Sequence, residues 1–188
     1  MDTSTGSTES VLLDRVIQGE KEAFEEIVTK YQSFCYTLAL RILKNPMEAE
    51  EATQDSFIKA YRSLKFFNRK SKFSSWLYRI TYNTSISYYR KQKKHETFEI
   101  VKYDRIHGVE NKHSETLDKK RFLEEAISKL NEQDASIITL FYFEELSMEE
   151  IGKILALRPN LVKVKLHRAR KKLANELRDI LQGEVEQL

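Results

Sequence analysis

The sequence predicts an all-α protein: two small helical domains joined by a flexible linker, the second a four-helix domain with a helix-turn-helix. Three observations predict it. Apolar residues recur at steps of three and four over long stretches, the period of amphipathic helices. Only 5 Gly and 2 Pro occur in 188 residues, so tight turns are few. A polar stretch without period, 96–114, divides the helical pattern and reads as a linker. Hydrophobic residues make up 40% of the chain, enough for packed cores, and the length suits one domain or two small ones.

In the first part, residues 1–9 are rich in Ser, Thr and Gly and read as a disordered tail. A short helix is expected over Ser10–Gln18, with Val11, Leu12 and Val16 apolar and Gly19 as its stop. From Glu22 to Lys44 a broad apolar stripe runs through Phe24, Ile27, Val28, Tyr31, Phe34, Cys35, Leu38, Ala39 and Ile42. Asn45-Pro46 ends that helix and opens another, with Asn45 as N-cap and Pro46 at the first helical position. Glu48, Glu50, Glu51 and Asp55 crowd its first turns. They either complement the helix dipole or form an acidic docking face, and the residues alone leave both open. Phe66–Ser75 lacks a helical period and reads as a loop. Ser74 or Ser75 would cap a helix over Trp76–Lys93 with Leu77, Ile80 and Thr84 inward, so the first domain spans 10–95.

The second domain spans 115–183. Leu117, Phe122, Leu123, Ala126, Ile127 and Leu130 mark one helix. Asn131 caps the next, in which Ile137, Ile138, Leu140, Phe141 and Phe143 are apolar. Ser147-Met148-Glu149-Glu150 matches a capping box, followed by the core edge Ile151, Ile154 and Leu155. A turn over Ala156–Arg158 leads to Pro159, a favoured helix start. In the final helix Val162, Leu166, Ala169, Leu173 and Leu177 form one stripe.

The net charge of +3 says less than its distribution. From Ser56 to His95 there is no Asp or Glu, yet Lys and Arg recur throughout, interleaved with aromatic residues. Cations can track phosphates while rings stack on unpaired bases at ~1–3 kcal/mol each, which suits single-stranded nucleic acid. Phe57, Tyr61 and Leu77 are assigned to the core instead. From Ile151 to Asn175 acid is again absent, and the basic residues fall off the apolar stripe. A buttressed helix with a cationic outer surface suits a nucleic-acid groove.

Other classes find little support. The single Cys35 excludes an internal disulfide, suits a reducing cytoplasm and lies on a core stripe. No signal-peptide pattern and no apolar run of ~20 residues is present, so a soluble cytoplasmic protein with no membrane insertion is expected. No phosphate-binding Gly-rich loop, paired-His motif or nucleophile–base arrangement is evident, so neither a catalytic residue nor a cofactor is expected. His107 and His113 lack metal-ligand spacing, and no metal is expected.

Three blocks together resemble the small extracytoplasmic-function (ECF) group of alternative sigma factors of bacterial RNA polymerase, in the sigma-70 family. They are EAEEATQDSFIKAY (Glu48–Tyr61), KFSSWLYRITYNTSISYYRKQKK (Lys72–Lys94) and LSMEEIGKILALRPNLVKVKLHRARKKL (Leu146–Leu173). The resemblance covers about Leu13 to Leu181 and implies a function: binding core polymerase and directing promoter-specific initiation through −10 and −35 elements. It implies that Glu48, Glu51, Gln54 and Asp55 dock on the clamp helices of the large polymerase subunit. It implies a loop over Phe66–Lys72 that captures a flipped −10 base, bringing in Phe67, Asn68, Lys70, Ser71 and Lys72. Trp76, Arg79, Asn83, Arg90 and Lys91 would then contact the separating strands. The third block would read −35 duplex through Arg158, Asn160, Leu161, Lys163, Val164, Lys165, His167, Arg168 and Lys171. Further implied partners are the polymerase flap and a cognate anti-sigma protein, and the linker would pass near the polymerase active site.

The likeness has departures. Ser87 stands where the family usually has an acid four positions after its Asn, here Asn83. Ala156, Asn160 and Leu161 replace the usual Gly and Gly-Thr or Gly-Ser of the turn. Leu161 and Val164 are apolar where hydroxyls are frequent, which suits contact with thymine methyls. The chain is also too short for the middle domain of larger members. A rival reading is a transcription regulator with a helical sensor domain ahead of its helix-turn-helix; the acid-free Ser56–His95 stretch argues against a sensor core. A helical enzyme acting on nucleic acid is a second rival, with no constellation to support it.

Overall fold

The structure, a computed structural model, describes residues 3–96 and 115–185, with side chains over 9–93 and 119–183. Among the described residues there are eight α-helices and one short 3-10 turn. They are α1 (Thr3–Ile17), α2 (Lys21–Leu43), α3 (Pro46–Ser63), the 3-10 turn (Leu64–Phe66), α4 (Phe73–Glu96), α5 (Glu115–Lys129), α6 (Glu132–Tyr142), α7 (Met148–Leu155) and α8 (Pro159–Val185). The expected linker, including His107 and His113, lies outside the described residues apart from Glu96, which closes α4.

Two boundaries differ from expectation. Helix α1 begins at Thr3, within the segment read as a tail, and Glu9 shows why it is held: its carboxylate accepts from Lys30 Nζ at 2.8 Å and from the Tyr31 hydroxyl on α2. Helix α4 begins at Phe73, so Ser74 and Ser75 lie inside its first turn. Phe73 is buried against the rings of Tyr31, Phe67 and Trp76, and that packing holds the helix start where a polar cap was expected.

The capping residues act as their chemistry dictates. Asn45 Oδ1 accepts from the Met47 and Glu48 amides, satisfying donors that the first turn of α3 leaves unpaired. Asn131 caps α6 through the Asp134 amide at 2.9 Å. At α7 both halves of the capping box form: the Glu150 amide donates to Ser147 Oγ, and the Ser147 amide donates to Glu150.

Helices α1–α4 form one lobe and α5–α8 the other. In the first, α2, α3 and α4 pack on one another and α1 lies on α2. Cys35, Leu38, Ile42, Ala49, Ala52, Ala60 and Leu77 are wholly enclosed there. In the second, α8 is the spine for α5, α6 and α7, with Ile127, Ile137, Ile151, Val162 and Ala169 buried. The lobes touch: α6 lies on α2 and α7 on α4.

Candidate nucleic-acid interface

The acidic face is set on α3. Glu51 and Gln54 are exposed, while Glu48 and Asp55 are half-buried. Asp55 does not stand alone: the Tyr88 hydroxyl on α4 donates to its Oδ2 at 2.9 Å. Burial, then the carboxylates of Asp55, Glu51 and Glu48, push the Tyr88 phenol up to about 12, so it remains a donor at neutral pH. The link joins the acidic helix directly to the helix that carries the second block.

The loop between the 3-10 turn and α4 is braced from two sides. Phe67 lies against Trp76 (centroids 5.1 Å) and Phe73 (5.8 Å), forming a small aromatic platform. Asn68 Oδ1 accepts from the Lys70 amide at 3.1 Å, which tightens the turn. Arg69 holds a left-handed backbone, φ 57°, and its guanidinium donates to Ser10 Oγ at 2.8 Å and pairs with Asp14 on α1. Asn68 and Lys70 stay exposed and Ser71 half-buried. Lys72 is exposed, with its ammonium 3.3 Å from Glu150 of the other lobe.

Along α4, Trp76, Arg79, Asn83, Ser87 and Arg90 follow steps of three and four and share one face. Arg79, Asn83, Ser87 and Arg90 are exposed, as is Lys91 beside them, and Trp76 is half-buried. Ser87 Oγ donates back to the Asn83 carbonyl at 2.8 Å, so the hydroxyl at the departing position is absorbed within the helix. The acid-free stretch is less available than its composition suggested. Tyr78 and Tyr82 are buried in the core, and Lys59 turns to Thr84 Oγ1 at 3.2 Å. Tyr61, expected in the core, is 41% exposed, because it caps the edge of the Phe24 ring rather than lying beneath it.

In the second lobe the turn before α8 depends on two backbone details. Ala156 takes a left-handed conformation, φ 55°, a strained geometry for a residue with a Cβ. Gly152 passes so close to the next segment that a Cβ there would sit 2.6 Å from the Leu157 carbonyl oxygen. The Leu157 amide closes the turn on the Gly152 carbonyl at 2.8 Å. The Arg158 carbonyl then accepts from the Leu161 and Val162 amides, launching α8 without a hydroxyl cap.

Helix α8 buries Val162, Leu166 and Ala169 and presents Asn160, Leu161, Lys163, Val164, His167, Arg168 and Lys171 to solvent, with Arg158 exposed just before it. Leu161 is 43% and Val164 46% exposed. With Arg158, Pro159 and Asn160 they line a shallow concavity at the start of the helix. Lys165 departs from the expectation of a DNA contact. It is half-buried, and its ammonium donates to Gln133 Oε1 on α6, because that side of α8 faces the bundle. Lys172 likewise reaches Asp134 at 2.5 Å, and Arg170 stacks over Phe141 and Tyr142.

Sequence reasoning missed Arg69, Tyr88 and Gly152. The partners of the first two lie 55 and 33 residues away in the chain, a distance no local pattern spans. Gly152, inside an otherwise regular helical pattern, carried a signal that could have been read.

With this geometry established, comparison with known proteins is decisive. The family model for sigma-70 region 2 matches residues 27–95, and that for sigma-70 region 4 matches residues 122–173. The chain belongs to the ECF group of sigma-70 factors. The sigma factor is 35% identical over 179 residues to the ECF RNA polymerase sigma factor SigW of Bacillus subtilis, covering 89% of this chain and 96% of that protein. It is 32% identical over 185 residues to the ECF RNA polymerase sigma-E factor of Haemophilus influenzae, covering 93% and 97% respectively. In fold it resembles the sigma factor RpoE crystallised with the anti-sigma factor NepR from Bartonella quintana, with a TM-score of 0.66, 22% identity and coverage of 82% and 96%. The protein is an alternative sigma factor: with core RNA polymerase it directs transcription initiation at promoter DNA. No helix among the described residues is long and apolar enough to cross a membrane.

Proposed function

We propose that the two lobes divide promoter recognition between them, with residues 10–95 acting as region 2, 96–114 as the linker and 115–183 as region 4. The carrying observation is the pairing of two outward cationic helix faces, on α4 and α8, with one acidic face on α3. On α3, Glu48, Glu51, Gln54 and Asp55 dock on the clamp helices of the large subunit. In the first lobe, Phe67, Asn68, Lys70, Ser71 and Lys72 receive an unpaired −10 base, and Trp76, Arg79, Asn83, Arg90 and Lys91 hold the parting strands. Flipping a base costs a few kcal/mol, and stacking and a preformed pocket offset it.

At the start of α8, Arg158 just before the helix and Asn160, Leu161 and Val164 within it read base edges in the −35 major groove. Lys163, His167, Arg168 and Lys171 take phosphates and fix register without reading sequence. The exposed Leu161 and Val164 favour thymine methyls in that reading. The protein has no chemistry of its own, acts in the cytoplasm, meets the polymerase flap through region 4 and is held by a cognate anti-sigma protein. Transcription in vitro tests the assignment: core polymerase plus this protein is expected to initiate at a dedicated promoter, and Glu51→Lys with Asp55→Lys to abolish that by weakening core binding. Tight duplex footprinting by the protein alone, with unchanged core affinity in the charge-reversed variant, would refute it.

A further inference from the structure

The loop Phe67–Lys72 joins the 3-10 turn to α4 without a helix of its own. Such a loop discriminates between bases only if its shape is set before the base arrives; a loop that reshapes around each base accepts them all at similar cost. What sets the shape of this one comes from α1.

Helix α1 has a firm footing on the lobe. Leu13 and Val16 are buried, and Arg15 pairs with Glu20 and lies 3.6 Å from Glu26 on α2. From there α1 reaches the loop by two routes. Glu9 accepts from the Tyr31 hydroxyl, and the Tyr31 ring lies 5.7 Å from Phe73, which packs on Phe67 and Trp76. The second route is direct. One guanidinium nitrogen of Arg69 donates to Ser10 Oγ at 2.8 Å and to Asp14 Oδ2 at 3.4 Å, and the other donates to Asp14 Oδ1. This is a two-pronged grip on one carboxylate, which fixes direction as well as distance.

The grip falls where the loop reverses. Arg69 is the residue of Phe67–Lys72 with a left-handed backbone, φ 57°, a geometry that a residue with a Cβ adopts only when its surroundings hold it there. Asn68 and Lys70 on either side are both exposed. Any turn of the Arg69 backbone redirects one of them relative to the other. The Arg69 charge is meanwhile engaged by Asp14, so it is not the loop's offer to a phosphate.

We propose that Arg69 is the positioning residue of the base-capture loop: α1, through Ser10 and Asp14, holds its guanidinium and thereby sets which −10 base Asn68 and its neighbours accept. The inference rests on this loop being the −10 capture site. It makes Asp14, outside the loop and more than fifty residues earlier in the chain, a determinant of base preference.

The test uses the full chain assembled with core RNA polymerase. The probe is a pool of fork-junction DNAs built on the promoter that this holoenzyme transcribes, with the single-stranded −10 segment randomised and the bound fraction sequenced. Asp14→Ala, Arg69→Ala and Arg69→Gly should each lower the ratio of best to worst base by roughly threefold or more at one position, a fraction of what a mismatched position ordinarily costs. Preferences elsewhere in the segment should hold. The pair is exposed, so the urea midpoint should stay near that of the native protein. Arg69→Gly relieves the left-handed backbone and should still flatten the preference. The Asp14→Ala/Arg69→Ala double variant should lose no more than either single one, because the two act as a unit.

Three results would overturn the proposal: a uniform loss of affinity across all bases in Arg69→Ala, which marks a phosphate contact; flattening by Arg69→Ala but not by Asp14→Ala; or a lowered urea midpoint with base preference intact. Asn68→Ala checks the underlying site. If it flattens the preference while Asp14→Ala does not, only the role of α1 fails. If it leaves every position unchanged, the capture loop itself is misassigned.

Discussion

Gly152 illustrates how a single residue fixes the turn on which −35 recognition depends. It sits in α7 with a neighbouring carbonyl where its Cβ would be, 2.6 Å away and belonging to backbone that cannot rotate aside. Gly152→Ala is therefore expected to destabilise the protein by about 1–3 kcal/mol, the usual range for overpacking. Urea unfolding measures it, and a neutral result would show that the turn relaxes freely. Glu150 makes a subtler residue-scale case. Burial alone would raise its carboxyl, but the Ser147 amide and hydroxyl and Lys72 bring it below the ordinary value. A depressed carboxylate adds stability above its unfolded pKa and loses it as pH falls through the folded one. Gln keeps the capping geometry but not the charge. Glu150→Gln should thus cost less than about 1 kcal/mol at pH 7, and the gap from the native protein should close as pH drops below the ordinary carboxylate range. A gap that persists at acid pH would assign the cost to packing.

At the scale of elements, α8 separates cations by where its faces point. Arg168 is exposed, whereas Lys165 is tied to Gln133. Arg168→Ala is expected to weaken −35 duplex binding similarly across promoter sequences and to reduce the salt slope by ~1, as loss of one phosphate contact does. Lys165→Ala should leave the slope unchanged and lower stability slightly. Equal slopes for the two would contradict this division. Leu161→Ala should instead act at one base pair, costing ~1–3 kcal/mol only where thymine is preferred. Much of this architecture is legible in sequence because caps and helical stripes are local. Asn45, Asn131 and the Ser147–Glu150 box act within four residues, and the buried Val162, Leu166 and Ala169 follow one period. What is not legible arises from contacts between distant segments. The tail-like start of α1 is held by Lys30 and Tyr31, the start of α4 by rings from α2 and the loop, and the acidic face by Tyr88. Composition likewise overstated the free cations and rings near α4, since it cannot distinguish Tyr78 in the core from Phe66 in solvent.

For the whole molecule, the contact between lobes has its own energetics, and Arg41 is where they are most exposed to test. Its side chain, on α2, is only 9% accessible, and it pairs with Glu124 on α5, which is 39% accessible. Its Nε is buried with no hydrogen-bond partner, so the guanidinium is imperfectly compensated even where the lobes pack together. Lys44 adds a second tie, donating to the Leu130 carbonyl at 2.9 Å. The two ends of the Arg41 pair are not equivalent. Removing Glu124 leaves a cation enclosed between the lobes with water excluded from most of it, whereas removing Arg41 leaves a carboxylate that solvent still reaches. Breaking a buried pair from the anion side therefore costs more than replacing the cation by an apolar side chain of similar length. Glu124→Ala is expected to destabilise the protein by about 1–3 kcal/mol, scaled down for the exposure of Glu124, while Arg41→Met stays within about 1 kcal/mol of the native protein. Urea midpoints at constant m-value measure both. If Arg41→Met costs as much as Glu124→Ala, the pair contributes by net attraction, and desolvation of Arg41 is not what limits the contact between the lobes. If both variants split unfolding into two transitions, the lobes fold independently and this strut is what couples them.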